Sequence, residues 1–141
     1  MKVLTASEGA AAVALARQAL EAGVRGERFV PPVLPDVFYE KRGVFVTLTE
    51  NNELRGCIGL PYPVRPLGEA IQEAAVSAAL QDPRFLPVEP ADLPGIRVEV
   101  TVLSVPEPME VPPDQRESCV QVGVHGLIVQ GRRRSGLLLP Q

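Results

Sequence analysis

The sequence predicts an α+β fold in which a mainly antiparallel sheet is flanked by helices. Two observations predict this class. The predicted elements run in the order helix, hairpin, helix, strand, hairpin, with no regular βαβ series. The composition, with 141 residues, 45% hydrophobic and 22% charged, is typical of a globular chain with one core. We therefore predict a single domain over residues 1–141.

Two helices are predicted from capping residues and apolar spacing. Ser7 is a good N-cap for a first helix that ends near Ala22, where Gly23 takes the position of a left-handed C-cap. A second helix begins at Pro66, a residue suited to a first helical position, and ends near Leu80. Both helices are expected to pack on the sheet.

The strands are predicted from apolar residues that alternate with polar ones. Alternation over 44–48 and 54–60, on either side of an Asn-Asn pair, predicts a hairpin. A further strand covers 96–102, and its apolar residues share one face. Alternation over 120–124 followed by the apolar residues 127–129 predicts another hairpin.

Charge and composition exclude several classes of protein. The net charge of −3 argues against a broadly basic nucleic-acid surface, because duplex affinity comes largely from neutralised phosphates. No apolar run approaches the roughly 20 residues of a membrane-spanning helix, and no secretion signal is visible, so the predicted location is the cytoplasm. Cys57, Cys119 and the single His125 form neither a disulfide framework nor a metal-ligand set. No metal or other cofactor is therefore predicted.

The most informative segment is the second strand of the first hairpin, Leu54-Arg55-Gly56-Cys57-Ile58-Gly59. Period two places Arg55, Cys57 and Gly59 on one face and the three alternate residues on the other. If the leucine and isoleucine face the core, Arg55 and Cys57 point together towards a cleft or solvent. A guanidinium binds carboxylate or phosphate, and the cysteine beside it is a candidate nucleophile or redox thiol.

Each residue of this strand also has a structural interpretation. Cysteine is among the most buried residue types, so Cys57 equally suits a small apolar position in the core. Glycine within a strand marks a bulge, or a close approach of a ligand or another backbone, so Gly56 and Gly59 are candidates for binding or for packing of the second helix. No base accompanies the thiol unless His125 converges on it from the other hairpin.

Three further residues are candidates for binding. Arg84 follows Asp82 after the second helix, and this carboxylate is placed to hold Arg84 or Arg55. Glu99 pairs with Arg55 if their strands are neighbours, although a solvated ion pair is the commoner outcome. His125 is a candidate acid or base, and a turn histidine more often bonds only to backbone.

Ordered motifs run along nearly the whole chain from about Val3. They are Arg42 to Leu48, Leu54 to Gly59, Asp82 to Phe85, Val98 to Leu103, Gly123 to Gly126 and Gly136 to Gln141. Together these motifs resemble the AMMECR family, named after the Alport syndrome, mental retardation, midface hypoplasia and elliptocytosis chromosomal region. The Leu-Arg-Gly-Cys-Ile-Gly string is the most specific of them.

The resemblance implies an α+β fold with a larger and a smaller lobe, a cleft between them, and a functional site at residues 54–59. It also implies association with Memo-like proteins, which resemble non-haem iron dioxygenases, and with radical S-adenosylmethionine proteins. It supplies no established reaction. Family members usually continue into further helical sequence, so this chain is expected to lack the family's C-terminal helical tail after Gln141.

Three functions compete at this point. We predict a domain that binds a partner, a peptide or a small molecule, since no set of nucleophile, base and orienting group is visible. The first alternative is a small-molecule enzyme that uses Cys57 as nucleophile or redox thiol and Arg55 as anion clamp. The second is a nucleic-acid-binding regulatory protein, which rests on the cluster Arg132 to Arg134.

Overall fold

The computed structural model describes residues 4–104 and the backbone of two strands at 127–130 and 135–138. The chain divides into two compact units, Met1–Val105 and Pro106–Gln141. The first unit holds helices and a three-stranded sheet, and the second holds a two-stranded ladder. The predicted α+β class with antiparallel strands is confirmed. The single domain and the cleft between two lobes stay predictions.

Helix α1 spans Ala6–Arg25. Its N-cap is Thr5, whose hydroxyl accepts a hydrogen bond from the N–H of Glu8 at 3.2 Å. In return, the Glu8 carboxylate accepts the N–H of Thr5 at 2.8 Å. The prediction of Ser7 as N-cap was wrong, because this reciprocal capping box begins the helix before that residue.

The end of α1 also differs from the prediction. Gly26, with φ of 70°, forms the left-handed C-cap, so the predicted end at Ala22 and Gly23 was wrong. Gly23 instead lies where α1 meets the second helix, and a Cβ added to it would lie 3.1 Å from Cγ1 of Val76. Its small size therefore serves helix packing rather than helix termination.

Helix α2 spans Leu67–Leu80 and follows Pro66, which confirms the predicted element. Its alanines lie buried against α1 and the sheet, with Ala74 and Ala75 fully covered. Small side chains allow the helix backbone to approach its neighbours closely, and this approach brings α2 onto the strands described next. No helix in the described part of the chain is long and apolar enough to cross a membrane.

The sheet of the first unit has three antiparallel strands. Strands β1, Val44–Glu50, and β2, Glu53–Leu60, form the predicted hairpin. Asn51 and Asn52 connect them with φ of 53° and 64°, the positive values that a tight hairpin turn requires. Strand β3, Ile96–Val102, pairs with the other side of β1, so the strand order is β2-β1-β3.

The two faces of this sheet differ in composition. The inner face carries Val44, Val46 and Leu48 of β1, which are fully buried and belong to one core cluster with both helices. The outer face carries the alternate residues of the three strands. They are Phe45, Thr47 and Thr49 of β1, Cys57 and Gly59 of β2, and Arg97, Glu99 and Thr101 of β3.

Two short 3-10 helices occur in segments that the sequence left as loops. They cover Asp36–Tyr39 and Pro90–Gly95. Arg17 of α1 donates to the carbonyl oxygens of Leu93 at 2.5 Å and Ile96 at 2.6 Å. This arginine thereby fixes the end of the second 3-10 helix and the start of β3 against α1.

In the second unit, β4, Leu127–Gln130, pairs antiparallel with β5, Ser135–Leu138. The predicted strand at 127–129 is confirmed, and its described partner is β5. The predicted strand at 120–124, the cluster Arg132 to Arg134, Cys119 and His125 lie outside the described residues.

Candidate functional site

A β-bulge interrupts β2 at Arg55. Leu48 of β1 faces Gly56, whereas the next residue of β1, Thr49, faces Leu54, so Arg55 has no partner across the hairpin. An extra residue of this kind changes the phase of the side-chain alternation within its strand. Leu54 accordingly lies away from the core, with 43% of its surface exposed.

The Arg55 side chain is anchored within the fold. Its Nη1 donates to the Leu86 carbonyl at 2.6 Å and its Nη2 to the Pro87 carbonyl at 3.4 Å. Nε lies 3.8 Å from a carboxylate oxygen of Glu50, and Nη2 lies 3.9 Å from one of Asp92. Only 17% of the side chain remains exposed. These contacts tie the bulge to the segment before β3 and favour a structural role.

The bulge separates Arg55 from Cys57. The prediction that the two side chains point together was wrong, because Arg55 reaches Glu50 on the inner face, whereas Cys57 pairs with Thr47 on the outer face. The condition for a pair between Arg55 and Glu99, that their strands are neighbours, is not met. Strand β1 lies between their strands, and Glu99 lies opposite Thr47.

We expect Arg55→Ala to lower the free energy of unfolding by roughly 2 kcal/mol, because it removes a charged donor from two carbonyl groups. Chemical denaturation measures this change. Arg97→Ala is the matched control, since Arg97 is exposed on β3 and a surface change of this kind stays within about 0.5 kcal/mol. Equal stability of the two variants would contradict an anchoring role for Arg55.

The two glycines of the motif are contacted by the chain itself. A Cβ added to Gly56 would collide with the carbonyl oxygen of Ala78 in α2, and one added to Gly59 would collide with the ring of Phe45. The structural interpretation of Gly56, as the residue that lets α2 approach, is therefore confirmed. Contact of a ligand with either glycine stays a prediction. Such a contact would have to involve the backbone atoms of the glycine.

The Cys57 thiol lies half-buried on the outer face. Its Sγ is 3.3 Å from Oγ1 of Thr47, and either atom is a suitable donor. The sequence did not predict this threonine as a site residue, because its position opposite Cys57 depends on the register of the hairpin. Within residues 4–104 no other hydrogen bond reaches the thiol, and the sequence holds no histidine there.

Among the described strands β2 is an edge strand, and the backbone of Cys57 lies on its edge away from β1. Its N–H donates to Oδ2 of Asp82 at 3.0 Å, and its carbonyl oxygen accepts from Nη2 of Arg84 at 3.5 Å. Asp82 and Arg84 thus occupy both polar backbone atoms of Cys57. The expectation that Asp82 holds an arginine is confirmed, and the arginine is Arg84.

The Asp82–Arg84 pair is tightly connected. Asp82 accepts from Nε of Arg84 at 3.0 Å, from Nη2 at 2.8 Å and from the backbone N–H at 3.1 Å. The Arg84 guanidinium holds the pKa of the Asp82 carboxyl well below its usual range, against the opposing effect of burial. The hydrogen bond to Asp82 likewise raises the pKa of Arg84. The two residues therefore form one hydrogen-bonded ion pair.

The two side chains differ strongly in exposure. Asp82 retains 3% of its side-chain surface and Arg84 retains 56%. The guanidinium also lies over the Phe85 ring, 5.4 Å from its centroid. The buried carboxylate therefore presents a positioned cation at the surface, beside Cys57.

A model of the AMMECR1 family matches residues 13–141 of the chain. The chain belongs to the AMMECR1 family. It is 53% identical to a protein of Methanothermobacter thermautotrophicus over 141 residues, which cover 98% of this chain and 73% of that protein. It is 50% identical to a protein of Thermococcus gammatolerans over 136 residues, which cover 92% of this chain and 66% of that one.

The fold is similar to the crystal structure of an uncharacterised protein of Pyrococcus horikoshii. The TM-score is 0.92 and the sequence identity 44%, with 97% of this chain and 71% of that chain covered. The predicted family and the predicted fold class are therefore both confirmed.

Within this AMMECR1-family chain, the candidate residues separate into groups. The structure brings together Cys57 and Arg84 at the edge of β2, with Thr47 next to the thiol and Gly59 two residues further along the strand. It places Arg55 elsewhere. Glu99 lies in the same cross-strand row as Cys57, on the far side of Thr47. Among residues 4–104 no group of three histidine, cysteine or acidic side chains is arranged to hold a metal ion.

Proposed function

We propose that this AMMECR1-family chain is a partner- or ligand-binding domain that acts with Memo-like and radical S-adenosylmethionine proteins in the cytoplasm. The binding site is centred on Arg84 and on the backbone of β2 at Cys57 and Gly59, with Thr47 beside them on the outer face. The ligand is a peptide segment of a partner or a small molecule.

One observation carries this proposal: Cys57 and Arg84 are held in place beside each other, and among residues 4–104 no acid–base set accompanies the thiol. Both polar backbone atoms of Cys57 are bonded, and Arg84 is fixed by a buried carboxylate. A rigid surface lowers the entropic cost of binding, because few side chains need ordering. General acid–base catalysis would require a titratable group next to the thiol, and the described contacts of the thiol include only Thr47.

A second candidate function is a small-molecule enzyme with Cys57 as nucleophile or redox thiol. The observation that favours it is the hydrogen bond from the Arg84 guanidinium to the Cys57 carbonyl oxygen, which places a cation on the residue that carries the thiol. Arg84 takes the role of anion clamp that the sequence interpretation gave to Arg55, since the guanidinium of Arg55 is bonded to the Leu86 and Pro87 carbonyl groups. The enzyme requires the sulfur atom of Cys57, whereas the binding function does not.

The test is a titration of the intact chain with a purified Memo-like protein, and separately with a radical S-adenosylmethionine protein. We expect Arg84→Gln to weaken binding of at least one of them about tenfold, the loss of one hydrogen bond to a charged group. Cys57→Ala and the control Arg28→Gln are expected to stay within about twofold of wild type. Arg28 is an exposed arginine on the loop after α1.

Two results would contradict the proposal. If the wild-type chain binds neither protein, the proposed partners are excluded. Equal loss with Cys57→Ala and Arg84→Gln makes the sulfur atom essential and favours the thiol enzyme.

A further inference from the structure

The open edge of β2 presents a backbone donor next to the Arg84 guanidinium. The N–H of Cys57 points away from β1, since it donates to Asp82. In an antiparallel pair the outward groups belong to every second residue, so the N–H of Gly59 also points to the open edge. Among residues 4–104 no partner accepts this N–H.

The guanidinium reaches the same place. Along a strand edge, the carbonyl of one outward residue is followed directly by the N–H of the next. Nη2 of Arg84 contacts the carbonyl oxygen of Cys57, so the guanidinium lies beside the N–H of Gly59. Nε and Nη2 are occupied by Asp82. In the described portion of the chain Nη1 has no acceptor, and the side chain is exposed.

We propose that Nη1 of Arg84 and the N–H of Gly59 together bind one oxyanion group of the ligand, a carboxylate or a phosphate. This inference rests on the proposed binding function and names the chemistry that the site recognises. Guanidinium and backbone N–H donors are the groups that proteins use for carboxylate and phosphate oxygens. Asp82 is the positioning residue, because it accepts two hydrogen bonds from the guanidinium and a third from the backbone N–H of Arg84.

The negative charge of Asp82 does not prevent Arg84 from attracting an anion. Its carboxylate is buried, whereas the guanidinium is exposed, so the outward end of the pair is positive. Gly59 adds no side chain of its own beside the guanidinium, and the Phe45 ring lies where its Cβ would be. An oxyanion arriving in the plane of the sheet meets both donors.

The experiment is an NMR titration of the intact chain with sodium phosphate and, separately, with sodium acetate, at an ionic strength held constant with sodium chloride. We expect saturable shifts of the Gly59 amide and of the Arg84 Nε–H signal with at least one probe. Arg84→Gln is expected to weaken the response roughly tenfold, and Arg28→Gln is expected to leave it unchanged. Saturation by acetate alone assigns a carboxylate, and saturation by phosphate alone assigns a phosphoryl group.

Shifts that rise linearly with both probes, or that are identical in Arg84→Gln, would overturn the oxyanion site. If Arg84→Gln fails to fold, the wild-type chain decides, because saturation at Gly59 and Arg84 together supports the site and its absence refutes it. Saturable binding of phosphate or acetate without binding of a Memo-like or radical S-adenosylmethionine protein contradicts the proposed partners and still supports the oxyanion site. Partner binding without a saturable response refutes the oxyanion site alone.

Discussion

Gly56→Ala is expected to destabilise the protein by about 3 kcal/mol, at the upper end of the usual cost of overpacking. The added Cβ meets the Ala78 carbonyl of α2, a backbone atom that no side-chain rotation can move away. Relief therefore requires a shift of α2 away from β2, which opens the core shared by the helix and the inner face. Thermal and chemical denaturation with circular dichroism measure the change.

The matched control is Gly9→Ala in α1. A Cβ added to Gly9 meets no atom within 4 Å, so the control retains the contacts of the fold and gains helix propensity. We expect it to stabilise the chain by about 0.5–1 kcal/mol. Opposite signs for the two alanines would demonstrate the close approach of α2, and a neutral Gly56→Ala would refute it.

Asp82→Ala is expected to cost about 2–3 kcal/mol at neutral pH, because it leaves the partly buried N–H of Cys57 without its acceptor and releases Arg84. Asp36→Ala is the control, since Asp36 is exposed in a short 3-10 helix. Its stability should remain within about 0.5 kcal/mol of wild type. Similar losses in the two variants would show that Asp82 does not anchor the edge of β2.

The same carboxyl sets a dependence of stability on pH. The folded-state pKa of Asp82 lies below its unfolded value, so its contribution is fully present above that unfolded value, about 3.9. It is lost as the pH falls towards the folded pKa. We expect wild type to lose stability below about pH 4 more steeply than Asp82→Asn, which does not titrate. Parallel curves for the two proteins would contradict this assignment.

Local signals were sufficient for most of the secondary structure. The Asn51–Asn52 turn, the alternation within Ile96–Val102 and the start of α2 after Pro66 each depend on neighbouring residues only. The predicted N-cap of α1, Ser7, lies two residues after the observed one, Thr5. Two hydroxyl residues, Thr5 and Ser7, compete there, and the reciprocal bond of Glu8 with Thr5 decides between them.

The bulge could not be predicted from the alternation. Residues equidistant from the turn would pair Val46 with Cys57, whereas the observed partner of Cys57 is Thr47. The bulge is accompanied by contacts of Arg55 with Leu86 and Pro87, more than thirty residues away along the chain. Alternation contains no information about such contacts, so the faces of Arg55 and Cys57 remained ambiguous until the strands were paired.

The sequence predicted which residues belong to the candidate site better than it predicted how they contact one another. The link between Asp82 and Arg84 is local, since two positions separate them, and the sequence anticipated it. The link of either residue to Cys57 spans 25 or more positions and depends on how α2 lies across β2. For the same reason, the sequence left open whether Gly56 serves a ligand or a helix.

The bonded edge of β2 also bears on self-association. Exposed strand edges are the places where another chain adds a strand and aggregation begins. Asp82 and Arg84 block this edge at Cys57, and Pro61, which follows the strand, has no N–H to offer a neighbour. Among residues 4–104, no partner accepts the next outward N–H on this edge, that of Gly59. A buried carboxylate and its arginine thus also protect this side of the sheet against unwanted intermolecular pairing.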